Sequence, residues 1–217
     1  MLKLIPYPSV RLKNYINKKF YNEKLIVQEI AIRDDYGLKQ LMSTNFKIEN
    51  IVDIGAHIGI FVNYAKYCFP NSKILAYEPW TFNYNRLIDN VATYDNVLTF
   101  NAAITNEITT KYLRKTQLYN TGAVAIADEG FVAVNTLTLQ HAFQFMEKID
   151  LLKLDCEGGE YEILNYAATH GLLEKIQTIR GEYHKGSELL HQTLKKTHRF
   201  WAYSIGKSDG LFRATLI

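Results

Sequence analysis

The chain has 217 residues, of which 47% are hydrophobic and 22% charged, a composition that excludes disordered and fibrous classes and fits a globular protein. Its net charge is +3, far from the strongly basic balance typical of dedicated nucleic-acid binders. The two cysteines, Cys68 and Cys156, are too few and too far apart for a disulfide framework or a zinc ribbon, which favours a reducing compartment.

No apolar stretch of the chain reaches the roughly 20 residues that a membrane-spanning helix requires. The first ten residues contain two prolines and no long apolar region, so we expect no secretory signal there. A cytoplasmic protein without a transmembrane segment is therefore expected. No feature of the sequence indicates an oligomeric state.

The first 49 residues are interpreted as an N-terminal preface that packs on or caps the core, and residues 50–217 as a single domain. Within the preface, residues 24–33 (KLIVQEIAIR) alternate between apolar and polar side chains, which predicts a strand. Residues 37–46 predict a short helix. Both elements precede the regular alternation that begins at residue 50.

From residue 50 onward, short apolar runs alternate with segments of helical periodicity. Strands are predicted at residues 51–54, 73–77, 97–104, 150–154, 178–183, 201–205 and 212–217. Helices with apolar stripes are predicted at residues 61–68, 84–91, 139–146, 161–168 and 189–194. Residues 107–134 are interpreted as a hairpin-like insertion with turns at Gly122 and Gly130.

This alternation predicts an α/β fold, because helices that connect parallel strands cover both faces of the sheet. Right-handed connections make such a sheet doubly wound. The last two strands follow each other directly and predict an antiparallel pair at the edge. We therefore expect a doubly wound, mostly parallel, seven-stranded sheet with an antiparallel C-terminal edge strand. Ligands of such sheets bind beyond the carboxyl ends of the strands.

The first strand ends in the sequence DIGAHIG, which is typical of a turn that faces a ligand. Gly55 permits a tight turn, and Gly59 allows the following helix to approach closely. Asp53 lies at the end of a buried strand, so its carboxylate requires a partner. His57 occupies the second glycine position of a dinucleotide fingerprint, and no phosphate-binding lysine motif follows, so neither of those sites is predicted.

The second and third strand ends add candidate contacts to a nucleoside. Glu78 follows Gly55 by 23 positions, the place from which an acid accepts hydrogen bonds from both ribose hydroxyls. Pro79 forces Glu78 into an extended conformation and so holds its carboxylate at the strand tip. Asn101 and Ala103 are a weaker signal, because a flat adenine ring and ordinary packing explain them equally well.

The fourth strand is followed by the most unusual stretch, in which three carboxylates and two glycines crowd one turn. Acids at a helix N-terminus are stabilised by the helix dipole, but three in one turn also repel each other and raise each other's pKa. Lys153, inside an otherwise apolar strand, requires a partner, and we expect one of these acids to supply it. These features favour a functional acidic loop over a purely structural one. His184 ends the fifth strand at the same crevice.

Six segments in the right order and spacing resemble the FkbM-type methyltransferases, a group of class I enzymes that use S-adenosylmethionine. These segments are VDIGAHIG (52–59), AYEP (76–79), NAAI (101–104), NTL (135–137), LLKLDCEGGEYEIL (151–164) and GEYH (181–184). The resemblance implies a Rossmann-like sheet and a class I methyltransferase domain over residues 50–217. It also implies methyl transfer to a hydroxyl of a sugar, a glycan or a small metabolite.

The resemblance also implies roles for individual residues. Cofactor binding falls to Asp53, Gly55, Ala56, His57 and Gly59 around the methionine part, Glu78 at the ribose, and Asn101 and Ala103 near the adenine. Asp155 is expected near the sulfonium or the acceptor. Two positions depart from the family pattern: His57 stands where asparagine is common, and Thr138 where aspartate is usual.

Methyl transfer to an alcohol calls for a general base, because an alcohol is a poor nucleophile until its proton leaves. The candidates are Asp155, Glu157 and His184, of which Asp155 has the best position and His184 the most suitable ordinary pKa. A metal held by Asp155, Glu157 and Glu182 is a secondary alternative. No ligand spacing specifies a metal, so none is expected.

Three other interpretations compete with this one. A nucleic-acid methyltransferase is disfavoured, because the adenine-methylating type would show an Asn/Asp-Pro-Pro-aromatic run where this chain has Asp155-Cys156-Glu157-Gly158. A nicotinamide-dependent oxidoreductase lacks the glycine that His57 replaces. A non-catalytic protein that binds only the cofactor or a partner is disfavoured by the intact glycine turn and Glu78.

Overall fold

The structure, a computed structural model, describes residues 23–115 and 124–217. The strands in this part of the chain are β1 (Asn50–Ile54), β2 (Lys73–Tyr77), β3 (Val97–Phe100), β4 (Ala103–Thr105), β5 (Thr110–Lys115), β6 (Val124–Ala127), β7 (Val132–Thr138), β8 (Leu151–Leu154), β9 (Thr178–Tyr183), β10 (His198–Ser204) and β11 (Gly210–Leu216).

The α-helices of the described residues are α1 (Lys24–Val27), α2 (Leu38–Met42), α3 (Ile60–Cys68), α4 (Thr81–Val91), α5 (Glu160–Thr169) and α6 (Glu188–Leu194). Helix α1 continues directly into a π-helical segment, Gln28–Arg33, and two short 3₁₀ helices span Leu139–Gln144 and Leu173–Lys175. Within the described residues, no helix is both long enough and apolar enough to cross a membrane.

Seven strands form the central sheet in the order β10-β11-β9-β8-β1-β2-β3. Strands β9, β8, β1, β2 and β3 run parallel, whereas β11 is antiparallel to both β9 and β10. This confirms the predicted α/β fold with a mostly parallel seven-stranded sheet. The reversed strand β11 lies between β9 and β10. Because Ile54 pairs with both Tyr77 and Leu154, the three central strands end at one edge of the sheet.

The predicted strand over residues 97–104 was wrong as a single element. Strand β3 pairs with β2, while β4 pairs with β7 in a second sheet of order β4-β7-β5-β6. This second sheet contains most of the predicted insertion, and Gly130 lies between β6 and β7 as expected. The predicted turn at Gly122 lies outside the described residues.

Helices cover both faces of the central sheet, because alternate residues of each strand point to opposite sides. Ile51 of β1 packs in a cluster with residues of α1 to α4, and Val52 packs in a second cluster with residues of α5 and α6. The helix predicted over residues 139–146 is a 3₁₀ helix, and the other predicted helices are present. This arrangement leaves the carboxyl ends of the strands open to a ligand.

The strand predicted over residues 24–33 was wrong, because this segment is helical. Its apolar residues Val27, Ile30 and Ala31 follow the i, i+3, i+4 spacing of one helix face and are buried against α3. The short helix predicted after Gly37 is confirmed as α2. The described part of the N-terminal segment is therefore a helical layer on the sheet.

Candidate functional site

A cavity of about 410 Å³ opens where the parallel strands end, a size typical of small-molecule sites. The sequence-predicted residues on its wall are Gly55, Ala56, His57, Glu78, Ala103, Asp155, Glu157 and His184. Three others, Asp53, Gly59 and Asn101, lie behind this wall. They contact the wall residues Lys153, Ala56 and Glu78, respectively. The strand ends thus bring most of the predicted site together.

The turn after β1 has a backbone shape that only glycine tolerates at its first position. Gly55 has φ of 78°, and a Cβ on it would lie 1.8 Å from the Asp155 carbonyl oxygen. Gly59 has φ of 86° and packs against Leu87 of α4. His57 between them also has a positive φ, of 51°. The two glycines let this turn fit between the loop after β8 and α4.

Glu78 is held in one orientation at the end of β2. Its Oε2 accepts a hydrogen bond from the His57 backbone N–H and its Oε1 accepts one from the Trp80 N–H, both at 2.9 Å. Burial raises the pKa of Glu78 to about 7, although the two N–H groups act in the opposite direction. Each oxygen keeps a second lone pair for a ligand.

Asn101 holds the wall in place. Its Nδ2 donates to the carbonyl oxygens of Glu78 at 2.9 Å and Pro79 at 3.0 Å, and its Oδ1 accepts from the Thr81 hydroxyl. Its amide is thereby directed to the backbone after β2 and not to the wall. The small residue Ala103 does line the cavity, so of this pair only the alanine can contact a ring there directly.

Lys153 lies at the centre of the strand ends and is buried. Its Nζ donates to the Gly55 carbonyl oxygen at 2.7 Å and lies 3.1 Å from Asp53 Oδ1 and 3.8 Å from Asp155 Oδ2. Burial opposes its charge, but the two aspartates outweigh burial and raise the pKa of Lys153. The nearest acidic partner of Lys153 is therefore Asp53 of β1, and Asp155 of the turn where the sequence placed the partner lies farther away.

A group of acids and one histidine surrounds the mouth of the cavity. Ligand atoms of Asp155, Glu182 and His184 lie within 4.8 Å of one another, which is the span of a small cation site. This trio contains His184 in place of the Glu157 that the sequence suggested. The charge of Asp155, together with burial, raises the pKa of Glu182 to about 8.

His184 is oriented by a buried carboxylate beneath it. Its Nδ1 is 2.9 Å from Oε1 of Glu160, and its Nε2 lies 3.8 Å from Oε2 of Glu157. Burial alone would lower the pKa of His184, but Glu160 and the neighbouring acids raise it to about 9. Glu160 Oε1 also accepts hydrogen bonds from the backbone N–H groups of Cys156 and Gly158. Glu160, one of the three acids in the turn after β8, therefore has a structural role.

The N-terminal layer supplies a wall of the cavity, and the sequence reasoning named none of the residues that form this wall. Its contributing residues are Ile26, Glu29, Ile30, Arg33, Asp35 and Tyr36. The hydroxyl of Tyr36 donates a hydrogen bond to Asp155 Oδ2 at 2.7 Å. The helical spacing of Val27, Ile30 and Ala31 was the available signal for this layer.

The chain is similar in sequence to known methyltransferases. The family model of the methyltransferase FkbM domain matches residues 53–202. Methyltransferase sdnD of Sordaria araneosa is 31% identical over 191 residues, covering 71% of this chain and 72% of that protein.

Two solved structures share the fold. An rRNA methylase from Streptococcus thermophilus has a TM-score of 0.51 at 8% identity, covering 87% of this chain and 96% of that one. The fibrillarin pre-rRNA processing protein of Methanococcus jannaschii has a TM-score of 0.51 at 12% identity, covering 78% and 66%. At these identities the likeness concerns the fold, and it agrees with the expected Rossmann-like class.

Proposed function

Because this chain belongs to the FkbM-domain family of S-adenosylmethionine-dependent methyltransferases, we propose that its cavity binds this cofactor and directs the methyl group to a hydroxyl oxygen. The proposed acceptor is a sugar, a glycan or a small metabolite. The observation that carries the proposal is the oriented, buried carboxylate of Glu78 beside the glycine turn after β1, both on one cavity wall.

The residues present fit the cofactor. Glu78 offers free lone pairs on two fixed oxygens, which suits the paired hydroxyls of a ribose. The backbone of Gly55, Ala56 and His57 is proposed to hold the methionine part. Ala103 is proposed to lie along the adenine, while Asn101 supports Glu78 from behind.

When bound, S-adenosylmethionine supplies an electrophilic methyl group, whose bond to sulfur breaks as its bond to the acceptor oxygen forms, leaving S-adenosylhomocysteine. Asp155 is proposed to take the proton of the acceptor hydroxyl, because its carboxylate lines the cavity and is held by Tyr36. His184 suits this role less well at neutral pH, because a pKa of about 9 keeps it protonated. Glu157 beside it is the alternative base.

Acidic side chains outnumber the cations Arg33 and Lys153 on the cavity wall, which supports an acceptor without phosphate groups. Glu29, Glu157, Glu162 and Glu182 all line this wall, and burial or neighbouring charge raises the pKa of each. A polyanion would meet repulsion from those that are ionised. A neutral hydroxyl compound avoids this cost and offers hydrogen-bond donors to the carboxylates.

The cofactor assignment is tested by isothermal calorimetry with S-adenosylmethionine and, separately, with NAD. We expect binding of the first alone, and Glu78→Gln should weaken it at least about tenfold, because an amide has one accepting oxygen where the carboxylate has two. The exposed Glu174→Gln is the matched control and should bind as the wild type does. Binding of NAD, or unchanged affinity in Glu78→Gln, contradicts the assignment.

The acceptor is sought by transfer of labelled methyl groups to sugar nucleotides, glycans, hydroxylated metabolites, and short DNA and RNA oligonucleotides. Each reaction is run with magnesium chloride and with EDTA, because Asp155, Glu182 and His184 converge within 4.8 Å. Methylation of oligonucleotides alone would overturn the proposed acceptor class, and methylation of sugar nucleotides alone would overturn the expectation of an acceptor without phosphate groups. Loss of transfer in EDTA would show that a divalent cation is required, with this trio as its candidate site.

The role of Asp155 is tested with the acceptor so identified. Asp155→Asn should lower kcat by about 10² to 10⁴ and leave the cofactor affinity nearly unchanged, as expected for a general base. Asp95→Asn, an exposed change in the turn between α4 and β3, is the control. If Asp155→Asn instead weakens cofactor binding and spares kcat, Asp155 is a binding residue.

A further inference from the structure

Tyr36 lies before residues 53–202, which the family model matches, yet its hydroxyl reaches the centre of the site. We propose that Tyr36 is a positioning residue for methyl transfer: it holds Oδ2 of Asp155 at 2.7 Å and so leaves Oδ1 as the oxygen available to the acceptor. This inference rests on the proposed role of Asp155 as the general base.

The turn that carries Tyr36 is fixed from the side of α3. Asp34, with a positive φ of 62°, accepts hydrogen bonds from the backbone N–H groups of Leu38 at 2.8 Å and Lys39 at 3.0 Å. The hydroxyl of Tyr64 in α3 donates to the same carboxylate at 3.1 Å. The turn is thus anchored to a helix of the core.

The opposite side of the turn is fixed by β11. Arg213 donates to Gln40 Oε1 at 2.8 Å and to the carbonyl oxygen of Asp35 at 3.3 Å. Arg213 also packs so closely on Gly37 that a Cβ there would come within 2.8 Å of the guanidinium carbon. Held from two elements, the turn has little freedom to move Tyr36 away from Asp155.

The ring of Tyr36 is buried and packs against side chains of the core. It is 3% exposed, meets Phe61 edge-on at a centroid distance of 5.5 Å, and has the Lys153 ammonium 5.6 Å from its centroid. Burial, with the charge of Asp155, raises the pKa of Tyr36 far above its ordinary value. The hydroxyl therefore keeps its proton and acts as a donor.

Tyr36 is expected to affect the rate of methyl transfer through the orientation of the Asp155 carboxylate. Asp155 is on a loop close to Gly158, which has a positive φ, so the strand alone does not fix its side chain. Tyr36 donates to Oδ2, and Lys153 lies 3.8 Å from the same oxygen. Without Tyr36, the carboxylate can rotate toward Lys153 and present its oxygens to the acceptor less often.

The test compares Tyr36→Phe with Tyr64→Phe, using the acceptor from the screen. Tyr36→Phe keeps the ring and should lower kcat about tenfold to a hundredfold, with cofactor affinity changed less than about twofold, as expected for loss of a hydrogen bond to a charged group. Tyr64→Phe removes only one of the bonds to this turn, and those from Leu38, Lys39 and Arg213 still hold the turn beside Asp155. It should lower the melting temperature and leave kcat nearly intact.

A double variant separates this inference from the proposed base. If Tyr36 acts through Asp155, Tyr36→Phe adds less than about twofold to the loss in Asp155→Asn. A full, independent loss in that background overturns the inference, as does unchanged kcat in Tyr36→Phe alone. Unchanged kcat in Asp155→Asn would instead overturn the proposed base.

A second measurement needs no acceptor. Sinefungin carries an amine-bearing carbon in place of the methyl-bearing sulfur, so its affinity relative to S-adenosylhomocysteine reports a carboxylate near the transferred group. Asp155→Asn and Tyr36→Phe should both lower this preference, and Tyr64→Phe should not. A lowered preference in Asp155→Asn with none in Tyr36→Phe overturns the inference. No change in either variant counts against the proposed base.

Discussion

The acidic side chains at this site differ mainly in the partners that hold them. Glu78 is held by two backbone N–H groups, Asp155 by the Tyr36 hydroxyl, and Glu160 by His184 and two backbone N–H groups. Glu182 has Asp155 close by, and that charge together with burial raises its pKa to about 8. At the scale of the residue, the cavity is a set of oriented carboxylates around Lys153 and His184.

The raised pKa of His184 predicts a pH dependence of stability. Its pKa in the folded chain is about 9 against an ordinary 6.5, so the folded state holds this proton more tightly than the unfolded state. The resulting stabilisation is complete below pH 6.5 and is lost as the pH rises toward 9. It amounts to at most about 3.5 kcal/mol at about 1.4 kcal/mol per pKa unit.

The measurement is urea unfolding of the wild type and His184→Gln at several pH values. Between pH 6.5 and 9 the wild type should lose more stability than the variant. Glu182 also has a raised pKa, which His184 lowers, so the titration of Glu182 differs between the two proteins. Repeating the comparison with Glu182→Gln present in both proteins isolates the contribution of His184. Parallel curves would show that Glu160 does not hold the charged imidazole.

Glu78 and the glycine turn were predictable from the sequence because each is a local signal. Gly55 is followed by a helix, and Glu78 stands before a proline, so short-range chemistry alone locates both at strand ends. Tyr36 gave no such signal. Its importance comes from a hydrogen bond across 119 positions, which depends on how the N-terminal layer packs.

At the scale of the element, the error over residues 24–33 had a physical cause. The run KLIVQEIAIR has apolar residues at spacings that satisfy both an alternating strand and one face of a helix. Packing against α3 decides for the helix, since Val27, Ile30 and Ala31 are buried there. Because the segment was taken for a strand, the residues that it contributes to the cavity wall were not predicted.

The break between β3 and β4 was also unpredictable, because it depends on side-chain bonds to another strand end. Asn101 donates to two carbonyl groups after β2, and the chain leaves the central sheet at this point. From the sequence, residues 97–104 offered no proline or glycine to interrupt a strand. The asparagine thereby fixes both the break and the loop that carries Glu78.

This position yields a prediction at the same scale. Asn101→Ala should lower the free energy of unfolding of the ligand-free protein by about 1 to 3 kcal/mol, because two carbonyl groups lose their donor. Urea unfolding without cofactor measures this loss of stability. Asn96→Ala is a less suitable control, because the Asn96 side chain accepts a hydrogen bond from Lys66. The exposed Gln192→Ala serves instead. A variant with normal stability but weaker cofactor binding would favour the adenine contact expected from the sequence.

At the scale of the whole molecule, the parallel sheet brings distant segments to one edge. The alternation of strands and helices predicts a doubly wound parallel sheet, in which ligands bind beyond the carboxyl ends of the strands. In the structure these strands have the order β9-β8-β1-β2-β3. The position of the second sheet and the return of β11 between β9 and β10 depend on long-range pairing that periodicity does not encode. The sequence therefore predicts the part of the cavity formed by the ends of the parallel strands better than the parts formed by other elements.

The strand ends approach each other very closely where the turn after β1 meets the turn after β8, so the cavity is most sensitive to substitution there. A Cβ on Gly55 would lie 1.8 Å from the Asp155 carbonyl oxygen, so any side chain there must push two strand ends apart. Gly171 also has a positive φ, of 65°, but a Cβ on it would meet no atom of the described residues within 4 Å. The two glycines form a matched pair, because a side chain at Gly171 strains the backbone alone.

We therefore expect Gly55→Ala to cost about 3 kcal/mol or more, against about 1 kcal/mol for Gly171→Ala, as measured by urea unfolding. His57, which orients Glu78, follows β1, and Asp155 follows β8, so pushing these two strand ends apart displaces both residues. Gly55→Ala should therefore also lose cofactor binding in calorimetry. Gly171→Ala should keep it. Equal losses in the two variants would mean that the strand ends can separate freely, and that the cavity does not depend on their close approach.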